Sequence, residues 1–205
     1  MTLIQELIKH FVLGIVSVLI CNIAMAEINQ TKDFIKAIEE VRKEYPEESV
    51  ESKIPSSFIA TVAATETGNF QFKGAPTAKN ANNFFGMHAT GDQQSLTTTG
   101  GAKLRSFDDS KGSIRAFMQL IANDERYKDA VSAIDRGPEE MFKGMSIYAE
   151  NPNYTNLLGN VYKNRIQPIF QTENFHLSTL EAELHLLYHQ KLLNKLLKPY
   201  PIKNF

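Results

Sequence analysis

Residues 55–68 read PSSFIATVAATETG, and the interpretation of the whole chain depends on the helix that this stretch predicts. Pro55-Ser56-Ser57 is typical of a helix start, because proline fits the first turn and serine can cap it. The run from Phe58 to Thr67 then continues without a break to Gly68, which suits a left-handed C-cap. The pattern therefore predicts a helix with Glu66 in its last turn.

Glu66 falls on the apolar stripe of this helix, because the i, i+3, i+4 spacing that joins Ile59, Val62 and Ala63 leads on to it. Burial raises the pKa of a carboxyl group, and the negative end of the helix dipole acts in the same direction. A protonated carboxyl group beside a cleft can donate the proton that glycosidic bond cleavage requires. The same spacing also fits a glutamate that caps or salt-bridges a helix end, so spacing suggests a site without establishing one.

The rest of the chain alternates between loop-rich and helical patterns. Between Gly68 and Phe107 the composition is typical of loops and short strands, and Gly100-Gly101 between two Thr- and Lys-containing runs, 97–99 and 103–105, predicts a hairpin flap. Apolar residues at helical spacing mark several other segments, whereas the charged stretch 44–53 reads as a linker. The helical segments are 30–43, 114–121, 127–134, 139–148, 154–170 and 178–197.

Residues 1–26 read as a signal peptide. Lys9 and His10 precede an apolar run, and Ala24-Met25-Ala26 supplies the small residues of a cleavage site. We therefore expect export to the periplasm or secretion, with membrane contact only through this segment if it stays uncleaved. An uncleaved anchor is the alternative, since the spacer after the apolar run is short and Glu6 weakens the positive start.

The composition excludes several classes of function. With 22 basic and 23 acidic residues, the chain has no polycationic character that would indicate nucleic acid as a partner. Cys21, the only cysteine, lies in the signal segment, so the mature chain has no disulfide, thiol nucleophile or cysteine-based zinc site. His185 and His189 lie four residues apart but lack the further ligands of a metal site, and neither metal nor cofactor is expected.

Three ordered motifs resemble the bacterial glucosaminidase family of cell-wall hydrolases, glycoside hydrolase family 73, and most of all its Bax-like branch. They are AATETGN at 63–69, NNFFGM at 82–87 and YAENPNY at 148–154. The runs LRSFDD at 104–109 and NDERY at 123–127 fit the same branch, so the resemblance covers roughly residues 55–165. Three motifs in order are much more specific than any one of them alone.

This resemblance implies an α+β, lysozyme-like fold, mostly helical, with a small β-hairpin flap beside the cleft. It also implies hydrolysis of the β-1,4 bond between N-acetylglucosamine and N-acetylmuramic acid in peptidoglycan glycan strands. Glu66 matches the family's general acid, and Tyr148 matches a tyrosine beside the catalytic centre, although Tyr148 could also simply close a helix end. The residues expected to contact the sugars are Asn82, Asn83, Phe84, Phe85, Gly86 and Tyr154. At least one of the two phenylalanines should belong to the core, since neighbouring residues in an extended segment point to opposite sides.

The chain departs from many family members in the flap, where a second acidic residue is expected to activate water. Residues 97–103 read TTTGGAK and contain no carboxylate, and the nearby Asp92, Asp108 and Asp109 fit turn or N-cap positions better. We therefore expect the substrate's own 2-acetamido oxygen to attack the anomeric carbon, with the positioning of water by another flap residue as the alternative. A lytic transglycosylase or muramidase-like enzyme, and a catalytically weak glycan-binding protein, remain alternatives.

The expected organisation places the catalytic domain between two helical flanks. The segments are a signal peptide at 1–26, an N-terminal helix and linker at 27–54, a glucosaminidase-like domain at 55–170, and an amphipathic helix and tail at 171–205.

Overall fold

The computed structural model describes residues 16, 25–73 and 75–172. The chain separates into two compact units, Met1–Gln167 and Pro168–Phe205, and the second is described only over its helical residues 168–172. The predicted signal peptide lies almost entirely outside the described residues, and the tail helix predicted at 178–197 lies wholly outside them. Among the described residues, no helix combines the length and apolar character needed to cross a membrane.

The first unit is mostly helical and carries one small hairpin, as predicted. Its helices are α1 (residues 25–42), α2 (Val50–Lys53), α3 (Ser56–Thr67), α4 (Pro76–Asn80), α5 (Ser110–Asn123), α6 (Lys128–Val131), α7 (Pro138–Lys143) and α8 (Tyr154–Val161). Short 3₁₀ turns flank α6 at Glu125–Tyr127 and Ile134–Arg136, and a π-helical turn at Tyr162–Ile166 continues α8. The strands are β1 (Ser95–Thr97) and β2 (Lys103–Arg105).

The hairpin joins two parts of the loop-rich segment. β1 and β2 pair antiparallel with Ser95 opposite Arg105, and Gly101 takes φ +85° in the turn between them. On its other side β2 meets the chain that follows Gly86, because the Arg105 N–H donates to the Met87 carbonyl at 2.9 Å. The flap therefore fixes the position of the backbone after Gly86.

Helix α3 is the central helix of the unit. Every residue from Phe58 to Ala64 is buried, so α3 is covered on all sides and does not show the single apolar stripe that spacing suggested. A helix that is apolar all round belongs in a core, and α3 packs against α7, α8 and the π-helical turn. Glu66 follows this buried run directly, which brings a carboxyl group to the edge of the core.

Both ends of α3 are fixed by specific bonds. At the start, the predicted serine cap is absent: Pro55 is the N-cap residue, and the buried Ser56 hydroxyl instead donates to Glu39 of α1. At the end, Gly68 takes the predicted left-handed conformation at φ +59°, and its N–H donates to the Ala64 carbonyl. The last turn, which carries Glu66, is thereby held in place.

Two predicted boundaries differ from the structure. The linker 44–53 contains α2, and the helix predicted over 139–148 ends at Lys143. Gly144 explains the early end, because a Cβ atom there would lie 2.3 Å from the backbone nitrogen of Ala130. The chain leaves the helix at the point where its backbone packs directly on α6, and residues 144–150 form turns.

Candidate active site

A cavity of about 750 Å³ opens beside the C-terminal end of α3. Its wall combines residues from α3, from the segment after Gly86, from β2 and from the turns after α7. The lining residues that matter most for its chemistry are Glu66, Gly86, Arg105, Arg126, Tyr148 and Glu150. The cavity therefore contains both acidic and basic groups.

The two carboxyl oxygens of Glu66 have different surroundings. Oε1 accepts a hydrogen bond of 2.6 Å from the hydroxyl of Tyr154. Oε2 lies beside Gly86, where a Cβ atom would approach it to 3.1 Å, and Gly86 itself has φ +62°. Glycine at this position thus allows both the left-handed backbone and the close approach, and Oε2 is the oxygen left to carry an acidic proton.

The surroundings of Glu66 favour its protonated form. Burial raises the pKa of the Glu66 carboxyl group, because the charged form loses hydration, and the hydrogen bond from Tyr154 offsets part of this effect. The predicted direction is therefore confirmed, with burial as the leading cause. The opposing hydrogen bond from Tyr154 was not foreseen.

Tyr148 and Tyr154 form a stacked pair, with ring centroids 5.8 Å apart. The Tyr148 hydroxyl donates to the Phe85 carbonyl at 2.6 Å, so it is Tyr154, and not Tyr148, that contacts Glu66. Burial, and secondly the charge of Glu66, raise the pKa of both phenols far above their ordinary value. Both hydroxyls therefore act as hydrogen-bond donors throughout the neutral range.

Tyr154 thus belongs to the predicted site, but its hydroxyl contacts Glu66 inside the protein. It was predicted to contact sugar, yet it lies beneath Glu66 and is 3% exposed. Tyr148 does line the cavity, next to Glu150. The motif at 148–154 supplies one cavity-lining tyrosine and one tyrosine that holds the acid.

Phe84 and Phe85 both pack against other aromatic rings of the protein. Phe85 is 1% exposed and stacks on Phe117, with ring centroids 4.1 Å apart and planes 3° apart. The Phe84 ring lies 4.7 Å from that of Phe34 and 5.1 Å from that of Phe72. Phe84 is nevertheless only half-buried, and Phe85 lines the cavity despite its stacking, so the sugar contact of these two residues stays a prediction.

The amide groups of Asn82 and Asn83 are likewise engaged within the protein. Asn83 is 1% exposed; its Oδ1 accepts from the Met87 N–H and its Nδ2 donates to the Met87 and Arg105 carbonyls. Asn82 has φ +48° and donates to the carbonyls of Phe107 and Asp108. These amides shape the wall that carries Gly86, and their sugar contact stays a prediction.

Sequence reasoning did not single out Arg105, Arg126 and Glu150, which line the same cavity as Glu66. Each lies within a stretch quoted for the family resemblance, which was the available signal. Arg126 is neutralised by Asp124, whose carboxylate it meets with two nitrogens at 2.9 and 2.6 Å. Within the described ranges, no group of His, Cys, Asp and Glu side chains is arranged to hold a metal ion.

The fold resembles that of solved bacterial proteins. The chain shares 18% identity with a peptidoglycan hydrolase from Sphingomonas sp. A1, with a TM-score of 0.51 over 68% of this chain and 93% of that one. A C-terminally truncated glycoside hydrolase domain of FlgJ from Salmonella typhimurium shares 22% identity, with a TM-score of 0.47 over 65% of this chain and 95% of that one. No curated protein matches the sequence significantly.

The likeness to the Sphingomonas protein concerns the fold, and the predicted lysozyme-like architecture is confirmed. The family model described as mannosyl-glycoprotein endo-beta-N-acetylglucosaminidase matches residues 42–166, which include α3, the hairpin and both tyrosines. The chain belongs to the glucosaminidase family.

Proposed function

We propose that this chain is a peptidoglycan hydrolase of the endo-β-N-acetylglucosaminidase type. It cleaves the β-1,4 bond between N-acetylglucosamine and N-acetylmuramic acid. One observation carries the proposal: a carboxyl group with a raised pKa, Glu66, has one oxygen held by Tyr154 and the other beside Gly86 at the cavity. Peptidoglycan is supported by the substrate of the Sphingomonas neighbour, and the Bax-like branch by the motifs at 63–69, 82–87 and 148–154.

In the first step, Glu66 donates the proton on Oε2 to the glycosidic oxygen as the bond from that oxygen to the anomeric carbon breaks. Positive charge develops on the anomeric carbon, and Glu66 becomes a carboxylate. The Tyr154 hydroxyl then donates to a charged acceptor, and such hydrogen bonds are stronger than neutral ones. Tyr154 therefore stabilises the form of Glu66 that exists after proton transfer.

In the second step, the substrate supplies the nucleophile. Residues 95–105 contain no carboxylate, so the 2-acetamido oxygen attacks the anomeric carbon and forms a cyclic intermediate. Water opens this ring and gives its proton to the Glu66 carboxylate, which restores the acid. This sequence of two displacements retains the anomeric configuration.

The first experiment is digestion of purified peptidoglycan by the wild-type protein and Glu66→Gln. Loss of a general acid lowers the rate by about 10²–10⁴-fold, so the variant should fail to clear a cell-wall zymogram while keeping its circular dichroism spectrum. New reducing ends should be N-acetylglucosamine, and proton NMR should show retained configuration. A variant that still clears the gel would refute the role of Glu66.

The same digests distinguish the alternatives. Anhydromuramic products in the mass spectrum would indicate a lytic transglycosylase. New reducing ends of N-acetylmuramic acid would indicate a muramidase, and binding without any cleavage would indicate a glycan-binding protein. Glu150 is the other carboxylate that lines the cavity, and it is exposed. Substrate assistance predicts that Glu150→Gln keeps most activity, whereas a large loss together with inverted products would assign water activation to Glu150.

We also propose that the chain acts outside the cytoplasm, in the periplasm or as a secreted protein. This location is supported by the signal-like pattern of residues 1–26 and by a substrate that lies in the cell wall.

A further inference from the structure

Arg105 differs from the other basic residues of the cleft in having no carboxylate partner. Within the part of the chain that the structure describes, no Asp or Glu side chain forms an ion pair with it. Arg126, the other arginine in the cavity wall, is neutralised by Asp124. Glu66 and Glu150 line the same cavity, yet neither pairs with Arg105. The cavity therefore holds a guanidinium group whose charge is not balanced by a direct contact.

This guanidinium group is held in a defined position. Its central carbon lies 4.9 Å from the centroid of the Phe107 ring, a distance at which a cation is attracted to the face of an aromatic ring. The backbone of Arg105 is fixed on both sides, because its N–H donates to the Met87 carbonyl and its carbonyl accepts from Asn83, each at 2.9 Å. A guanidinium group that has no carboxylate partner can form two parallel hydrogen bonds to a carboxylate ligand.

The position of Arg105 also suits a polymer. It lines the cavity of Glu66 and two neighbouring grooves, and Ala116 is shared by all three. The first groove also contains Glu51, Asp124 and Glu125, of which Asp124 and Glu125 are ion-paired with Arg126 and Lys128, and the second contains Asp108 and Asp109. A glycan strand that enters the cavity and continues beyond it would therefore pass Arg105. Peptidoglycan strands carry carboxylates, on the lactyl group of N-acetylmuramic acid or on the peptide attached there, whereas chitin strands carry none.

We propose that Arg105 forms a carboxylate-binding subsite in this cleft, which selects acidic glycan strands over neutral ones. The inference rests on the proposed function, since it names the chemical feature by which the same site recognises its substrate. Both sources of the carboxylate present the same planar acceptor, so the guanidinium group binds either. Asn83 contributes indirectly, because its buried amide fixes the strand that carries Arg105.

The test is equilibrium binding of fluorescent glycans to Glu66→Gln, with and without Arg105→Gln. The ligands are neutral chitin oligomers, muramic-acid strands stripped of peptide, and strands with peptide in place. Arg136→Gln is the matched control, because Arg136 carries the same charge at an exposed position outside the cavity. Arg105→Lys tests whether two parallel hydrogen bonds are needed, since lysine keeps the positive charge but lacks the planar pair of N–H donors.

We expect Arg105→Gln to weaken binding of the acidic strands about tenfold, which corresponds to roughly 1.4 kcal/mol, and to leave binding of the chitin oligomers within about twofold. Arg136→Gln should change neither, and Arg105→Lys should give an intermediate loss. A loss only on stripped strands assigns the lactyl carboxylate, and a loss only on strands with peptide assigns a peptide carboxylate.

Equal losses of affinity for all three ligands would indicate a purely structural role for Arg105 and would overturn the proposed subsite. Unchanged affinity for all three ligands would also overturn it. If the parent protein binds all three ligands, these outcomes leave the proposed function standing. If the parent binds none of the three, the proposed function fails, and the subsite fails with it.

Discussion

Tyr154 affects the balance between the protonated and charged forms of Glu66, the proposed general acid. Its hydroxyl donates to Glu66 Oε1 and so favours the carboxylate, against the effect of burial. In Tyr154→Phe this donor is lost, and the pKa of Glu66 should rise further. Because the acid must be protonated to act, activity is lost as pH rises through this pKa, and the basic limb of the kcat/KM profile should move to higher pH.

The same variant should lower kcat by about tenfold or more, because the carboxylate formed on proton transfer loses its charged hydrogen bond. Tyr148→Phe is the comparison, since the Tyr148 hydroxyl donates to the Phe85 carbonyl and not to Glu66. Its basic limb should stay near that of the wild type. A Tyr154→Phe profile with an unmoved limb would contradict this account.

Glu66 should also limit the stability of the fold at alkaline pH. Its folded pKa is raised above the ordinary value of 4.5, so below that pH both folded and unfolded states are protonated and no penalty arises. As pH rises, the unfolded state releases its proton first, and the penalty is complete above the folded pKa. Glu66→Gln should therefore raise Tm at pH 8 and change it little at pH 4.

Differential scanning calorimetry across this range measures the effect, and each 1 kcal/mol gained raises Tm by about 2–4 °C in a chain of this size. Glu140→Gln is the control, because Glu140 is stabilised as a carboxylate by the hydrogen bond from Lys143, which lowers its pKa. It should give no gain at pH 8. A gain for Glu66→Gln that is equal at both pH values would show that burial of charge is not the cause.

How far the site could be predicted depends on how local each contact is. The place of Glu66 at the end of α3 follows from residues within one helix, and it was predicted. The bond between Tyr154 and Glu66 joins residues 88 positions apart, and no helical or strand periodicity reports such a contact. The hydrogen bond from the Asn83 amide to the Arg105 carbonyl was not predicted for the same reason, because it joins two separate segments of the chain.

At the scale of elements, Gly144 decides where α7 ends. A Cβ atom at this position would lie 2.3 Å from the Ala130 nitrogen and 2.7 Å from its Cα, and both are backbone atoms that cannot move aside cheaply. Gly144→Ala should therefore force α6 and α7 apart and destabilise the domain by about 1–3 kcal/mol or more. Urea unfolding followed by circular dichroism measures the change.

Gly159 in α8 is the matched control for this prediction. A Cβ atom there meets no atom within 4 Å, so Gly159→Ala removes chain entropy from the unfolded state without creating a clash. It should stabilise the domain by about 0.5–1 kcal/mol. If both variants were equally tolerated, the close approach of the two helices would not be a constraint.

A comparison of Gly68 with Gly144 explains which helix ends the sequence could predict. Gly68 ends α3 through its own backbone conformation, a local property that the pattern of residues 55–68 carries. The hairpin likewise follows from Gly100-Gly101 between two short runs. Gly144 has φ −77°, which any residue adopts, and only its neighbour Ala130 makes glycine necessary. The early end of α7 could therefore not be predicted from local sequence patterns.

At the scale of the whole molecule, α1 belongs to the core although the family match begins at residue 42. Phe34, Ile38 and Val41 are each at most 5% exposed. The Phe34 ring packs against Phe84, next to the wall that carries Gly86. The N-terminal helix therefore supports the wall of the candidate site, and we expect any processing of the chain to leave its buried residues in place.

The predicted cleavage after Ala26 would keep the buried α1 residues Phe34, Ile38 and Val41, and it would remove from this helix only the first two residues, Met25 and Ala26. Glu27, the next residue, accepts hydrogen bonds from Gln71 and from Arg165, the latter at 3.3 Å, and an acidic residue is favourable at a helix start. Exported protein from a bacterial host should therefore have the mass of a chain that starts at Glu27. Ala26→Lys should block cleavage and leave the precursor with the membranes, whereas Met25→Lys, at the tolerant position between the two alanines, should be processed normally. Recovery of the intact precursor from the wild-type gene would instead assign residues 1–26 as an anchor, with α1 still docked on the domain.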